Sequence, residues 1–150
     1  MKQRGRRAKV IPRKQYGALP LAERQGRTAV MLVTSRETRR WIIPKGWPEK
    51  GLEPPALAGK EAFEEAGLVG EVSREAIGSY HYSKRLSNGR EVPCEVVVYP
   101  LAVERQLEDW PERGQRETRW FSLPEAAVKV SEGGLVALLL DLAERETTSG

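Results

Sequence analysis

The stretch Gly46-Trp47-Pro48-Glu49-Lys50-Gly51-Leu52-Glu53-Pro54-Pro55-Ala56-Leu57-Ala58-Gly59-Lys60-Glu61-Ala62-Phe63-Glu64-Glu65-Ala66-Gly67-Leu68 decides how this chain is read. Its first part, rich in glycine, proline, glutamate and lysine, has the composition of a loop. Pro54 and Pro55 then suit the first turn of a helix, where a missing N–H is no loss, and Gly67 suits the stop after it. At about 100° per residue, Glu61, Glu64 and Glu65 share one face of that helix. Ala58, Ala62 and Ala66 fall along another side, where small residues let the backbone lie close to a sheet and hold the carboxylates rigidly. Neighbouring like charges on a helix cost about 0.2–0.5 kcal/mol each. Either Lys60 and solvent offset that cost on an ordinary surface face, or the face holds a hard divalent cation, since Mg²⁺ takes oxygen ligands.

Outward from this helix, Gln15 to Ala22 and Thr28 to Thr34 are predicted strands joined by a turn at Gln25-Gly26-Arg27. A short run from Trp41 to Ile43 ends at Pro44-Lys45-Gly46. Gly70 to Arg85 and Glu91 to Arg105 read as two longer strands around Ser87-Asn88-Gly89, whose Asn-Gly pair favours a type I′ turn. Leu107 to Gln115 is a polar loop, Thr118 to Ser122 a short strand, and Leu123 to Ala127 a helical turn. A last helix is predicted from about Glu132 to Glu146, with Leu135, Leu138, Leu139 and Leu142 on one face and the polar end from Glu144 fraying. No repeat or linker interrupts the chain, so residues 15–147 read as one α+β domain with a mixed sheet between helices.

Composition narrows the function. A chain of 150 residues can bury a core without staples, and its single cysteine, Cys94, excludes an internal disulfide and a zinc cluster. A reducing, cytoplasmic setting is expected. With 39% hydrophobic and 31% charged residues, and no apolar run near the roughly 20 residues that span a bilayer, no membrane role is expected. The net charge of +4 is uneven: residues 1–14 carry seven basic and no acidic side chains, while the other 136 hold 18 basic and 21 acidic ones, a net −3. Residues 1–14 are therefore expected to form a basic, disordered tail, through which nucleic acid is a candidate partner.

The quoted stretch resembles the signature of the Nudix hydrolases, G-x5-E-x7-R-E-U-x-E-E-x-G-U with U aliphatic, in register from Gly46 to Leu68. Three positions depart: Leu52 stands for the first Glu, with Glu49 and Glu53 nearby, Lys60 stands for the Arg, and Ala62 is smaller than usual. The resemblance implies an α/β/α sandwich. It also implies Mg²⁺ or Mn²⁺ held by Glu61, Glu65 and the carbonyl of Gly46, with Glu64 positioning or deprotonating water and Lys60 orienting the carboxylates. A further carboxylate from outside the motif is expected from among Glu95, Glu112 and Glu117, with Glu117 favoured because its loop should return towards the site.

Arg40-Trp41-Ile42-Ile43-Pro44-Lys45-Gly46, Leu107-Glu108-Asp109-Trp110, Arg116, Trp120-Phe121 and Ala126-Ala127-Val128-Lys129-Val130 are most similar to the diphosphoinositol and diadenosine polyphosphate hydrolase branch. That likeness implies polyphosphate contacts at Ser35, Arg36, Lys45 and Arg116, with Arg13 and Lys14 before the first strand and Arg85 and Arg90 flanking the hairpin as further candidates. His81 reads as a packing or hydrogen-bonding residue and Cys94 as a small buried one. The implied function is metal-dependent hydrolysis of a phosphoanhydride in a nucleoside-diphosphate-linked, diadenosine or diphosphoinositol polyphosphate, a phosphate-rich small molecule. The alternatives are a pyrophosphohydrolase on nucleoside triphosphates or RNA 5′ ends, and a non-catalytic module binding nucleotides or nucleic acid.

Overall fold

A computed structural model describes residues 11–149. The basic residues 1–10, and with them most of the expected tail and its nucleic-acid contact, lie outside the described residues. The first strand, β1 (Arg13–Arg24), starts earlier than its apolar pattern suggests, so Arg13 and Lys14 belong to the sheet and not to a tail. They pair with Cys94 and Glu95 of a long strand near the other end of the chain. Backbone pairing, not side-chain character, extends the strand there.

β1 turns into β2 (Arg27–Thr34) at Gln25 and Gly26, whose φ angles of 55° and 77° make this two-residue loop a type I′ turn. β3 (Trp41–Ile42) and β4 (Lys45–Gly46) follow, pairing with β2 and β1 respectively. Helix α1 (Pro54–Ala66) then begins and ends where its prolines and Gly67 place it, with Gly67 at φ 68°.

The strand expected over Gly70 to Arg85 is two: β5 (Leu68–Val72) and β6 (Gly78–Arg85). Both run antiparallel to β7 (Glu91–Gln106), along the same edge. Between them the chain leaves the ladder in a turn closed by Ser73, whose Oγ donates to the Glu75 carbonyl at 3.1 Å and accepts from the Glu75 N–H at 3.3 Å. The hairpin joining β6 to β7 is not of type I′ either. Asn88 keeps a negative φ and only Gly89 is left-handed, with the Gly89 N–H donating to Leu86 and the Leu86 N–H to Arg90, so the loop has three residues and ends in a glycine bulge.

β8 (Thr118–Ser122) pairs with β2 and leads into α2 (Leu123–Lys129), which starts with a capping box between Ser122 and Glu125. The last helix, α3 (Gly133–Ser149), continues past the expected fray at Glu144. Glu146 accepts a hydrogen bond from the Thr28 N–H at 2.6 Å, tying the end of the helix to the start of β2.

The eight strands form one sheet with β3, β2, β1, β7 and β5 in order across it, and β1 with β7 is its parallel pair. Alternating residues of the central strands feed two cores, one on each face. Leu19, Val30, Leu32, Val96 and Val98 pack under α2 and α3, while Ala18, Met31, Val33, Tyr99 and Leu101 pack under α1. Ala58, Ala62 and Ala66 are fully buried in the second core, so α1 lies close to the sheet as its small residues predict. The architecture is α+β, with a mixed sheet between helices. Among the described residues no helix is long and apolar enough to cross a membrane.

Candidate active site

α1 presents its glutamates at different depths. Glu65 is 3% exposed, Glu61 is half-buried, and Glu64 stands nearer the surface. Burial raises the Glu65 pKa to about 8, against the pull of Arg116, and its hydrogen bond with Glu61 adds to the rise. Burial also raises the Glu61 pKa, which that hydrogen bond opposes. Burial thus disfavours two full charges side by side on these carboxyls. Glu65 Oε1 is buried with no hydrogen-bond partner.

Gly46 lies against this pair. A Cβ built on it would sit 2.4 Å from the Glu61 carboxyl, so only glycine lets the β4 backbone approach so closely. Two carboxylates and a peptide carbonyl are hard oxygen donors of the kind that Mg²⁺ and Mn²⁺ take, and Glu65 Oε1 is left without a hydrogen-bond partner. The donor set therefore fits a divalent cation. Among the described residues, however, no three histidine, cysteine, aspartate or glutamate side chains converge at metal-ligand spacing, so a cation here needs the carbonyl, water or substrate oxygens as well.

Arg116 braces the buried glutamate. Its guanidinium lies 3.8 Å from Glu65, donates to Glu112 at 2.8 Å and to the Thr34 carbonyl at 3.1 Å, and its side chain is only 9% exposed. Glu112 is tied in turn to α1, its N–H donating to the Glu64 carbonyl at 3.0 Å, and its charge is felt at Glu61. Glu117, the favoured extra carboxylate, faces Arg39 at 3.6 Å with both side chains more than half exposed. The Thr34 hydroxyl accepts from the Glu117 N–H at 2.9 Å and the Thr34 N–H donates to the Glu117 carbonyl at 3.0 Å, fixing the backbone of Glu117. Glu112 takes the position beside the site, and no local signal in the sequence separates the two.

Lys60 grips both oxygens of Glu49 at 2.8 Å and stands 3.7 Å from Glu64. Glu49 raises the Lys60 pKa through that hydrogen bond. Leu52, where the motif has its first Glu, is 36% exposed. The carboxylate beside Lys60 therefore comes from three residues earlier.

A cleft of about 530 Å³ opens beside Glu65. Ser35, Arg36, Lys45, Arg85 and Arg116 line it, whereas Arg13, Lys14, Arg90 and Glu95 do not. Ser35 and Arg36 lie on the tight β2–β3 loop, which Ser35 closes through its hydroxyl contact with Thr38 and its N–H to the Arg40 carbonyl. Arg36 donates to Gln115 at 3.1 Å. Arg13 instead lies over the Trp47 ring at 5.8 Å. Lys45 is half-buried; burial lowers its pKa against the opposing pull of Glu65 and Glu132. Lys84 and Glu132 also line the cleft and went unnoticed in the sequence, since neither falls in a motif and both arrive through packing of β6 and α3. His81 is exposed on β6, and Cys94 is fully buried.

The NUDIX domain family model matches residues 12–139. Among curated relatives, "Nudix hydrolase 12, mitochondrial" of Arabidopsis thaliana is 33% identical over 65% of this chain and 49% of its own length. "Diphosphoinositol polyphosphate phosphohydrolase 3-beta" of Bos taurus is 36% identical over 67% of this chain and 58% of its own. The chain spans about half the length of the curated relatives it matches. Among solved structures, an Ap4A hydrolase of C. elegans superposes with a TM-score of 0.63 over 89% of this chain and 98% of its own, at 15% identity. With more than half of its residues matched, and the helix, glycine stop and carboxylates of the motif in place, the chain belongs to the NUDIX domain family.

Proposed function

We propose that this chain is a divalent-cation-dependent hydrolase of a phosphoanhydride bond in a nucleoside-diphosphate-linked, diadenosine or diphosphoinositol polyphosphate. The observation that carries the reading is the half-buried Glu61 against Gly46 and the buried Glu65 beside it, with Glu65 lining a cleft that Arg36, Lys45, Lys84, Arg85 and Arg116 also line.

Glu61, Glu65 and the Gly46 carbonyl would hold Mg²⁺ or Mn²⁺. Bound there, such an ion supplies charge neutralisation for the leaving phosphate and a lowered pKa for water. Glu64, one turn from Glu61 and nearer the surface, is free of the buried pair and suited to orient a water or take its proton. Lys60 bridges Glu49 and Glu64 and so limits the positions Glu64 samples. Arg116 holds Glu65 and Glu112 while facing the cleft, and Arg36 and Lys45 are placed to meet phosphate oxygens.

A hydrolysis screen over polyphosphorylated nucleosides and inositols with Mg²⁺ or Mn²⁺ tests the proposal. Turnover should require the cation and fall by about 10²–10⁴-fold in Glu64→Gln. Full activity in that variant removes Glu64 from the mechanism, and cation-independent turnover removes the metal site.

A further inference from the structure

Glu132 is the part of the cleft for which the chemistry above has no task. It stands directly before α3, and its carbonyl accepts the first helical hydrogen bond, from the Val136 N–H at 3.0 Å. Its side chain reaches the cleft, where Oε1 is buried with no hydrogen-bond partner among the described residues. An acceptor left so loses its solvation without a compensating hydrogen bond. In folded proteins such a group marks strain, chemistry, or a site completed by water, an ion or a ligand.

Packing holds Glu132 in place. A Cβ on Gly134 would lie 2.5 Å from the Cβ of Tyr80, and one on Gly78 would lie 2.8 Å from Leu138. These two glycines seat the start of α3 directly on β6. The charge of Glu132 is felt at Lys45, Tyr80 and Tyr82. Of these, the Tyr82 hydroxyl is already spent on Gln15 at 2.6 Å, and the Lys45 ammonium stands 5.1 Å over the Tyr82 ring.

The cleft sets several cations beside carboxylates, Glu37, Glu91 and Glu132 among them. Arg36, Arg116, Lys84 and Arg85 favour anions, whereas an unpaired carboxylate oxygen repels a phosphate and accepts from a neutral O–H or N–H. We infer that Glu132 receives a hydrogen bond from a neutral donor on the non-phosphate part of the substrate. The cleft then takes a diphosphate carried by a hydroxyl- or amino-bearing group, as a nucleoside is, in preference to a ring whose hydroxyls are all phosphorylated. This deepens the hydrolase reading and rests on it.

The test compares wild type, Glu132→Ala and Glu132→Gln on a dinucleoside tetraphosphate, a diphosphoinositol without free hydroxyls, and inorganic triphosphate. For the dinucleotide, kcat/KM should fall about 10–100-fold in Glu132→Ala, with Glu132→Gln between, while that for inorganic triphosphate should not fall. Equal change on every substrate, no change on any, or wild-type preference for the phosphorylated ring overturns the inference. Calorimetric binding of ADP, which needs no turnover, separates the two proposals. Affinity that falls in the Glu132 variants without any hydrolysis in wild type leaves the subsite standing and removes the enzyme. Unchanged affinity removes the subsite. Dideoxy-ADP and an ADP analogue without the exocyclic amine identify the donor, because the analogue lacking it no longer responds to Glu132→Ala. Circular dichroism checks the fold, and the isosteric Gln variant carries the test if Ala does not fold.

Discussion

Gly46 sets the tolerance of the candidate site by having no side chain. In Gly46→Ala the added methyl would meet the Glu61 carboxyl at 2.4 Å, and the neighbour that must yield is the carboxylate the site depends on. Displacing a reacting or ligating group by about 1 Å can cost about 100-fold. Activity in Gly46→Ala should fall by that order and its Mg²⁺ requirement should rise, with far-ultraviolet circular dichroism unchanged; a variant of wild-type activity would remove Gly46 from the site. Gly46, Glu61 and Glu65 are legible because they sit at fixed offsets in one stretch. Glu112 and Glu132 are not, because a braced arginine in one case and a helix seated on a distant strand in the other bring them into place.

Among the elements, α1 is the most legible because both of its ends are written in local chemistry, prolines at the start and a left-handed glycine at the stop. The interrupted edge strand is less so. Val69 through Arg85 keeps strand-like residues on both sides of Ser73, and only the hydrogen bonds of Ser73 to Glu75 reveal where the ladder opens. Asn88-Gly89 advertises a two-residue turn, but pairing of Leu86 with Arg90 leaves three residues to cross, and the true type I′ turn forms at Gln25-Gly26. α3 is held at its far end by Glu146, whose pKa is lowered chiefly by the backbone hydrogen bond from Thr28. A carboxylate whose folded pKa lies below its unfolded value stabilises above the unfolded pKa and loses that effect as pH falls through the folded one. Glu146→Gln should therefore lower Tm at neutral pH, and the deficit should close below the ordinary glutamate range of about 4.3. A deficit independent of pH would assign the loss to packing.

For the whole molecule, a cation bound only by the folded state raises stability by mass action, about 2.7 kcal/mol at 100 times its Kd. Thermal unfolding in Mg²⁺ or Mn²⁺ should shift upward relative to chelator, and the shift should vanish when Glu61 and Glu65 are both replaced by Gln. The same double variant should unfold no lower than wild type in chelator, because burial disfavours the charged form of both glutamates and Glu112 still pairs with Arg116. A shift that survives in the variant places the cation elsewhere.

The parallel pairing of β1 with β7, Arg13 opposite Cys94 through Leu21 opposite Ala102, also orders events as the chain is made. On a ribosome β1 emerges before its parallel partner β7, which follows only after β2 to β6 and α1 have been synthesised. The stretch ahead of β7 therefore leaves the exit tunnel with one edge of β1 open, and loop closure over that distance slows the completion of the sheet. α1, with its charged face, waits beside an unfinished floor. During synthesis the nascent chain is thus exposed to edge-to-edge association until Gln106 has emerged, and chaperone dependence should be concentrated in that window.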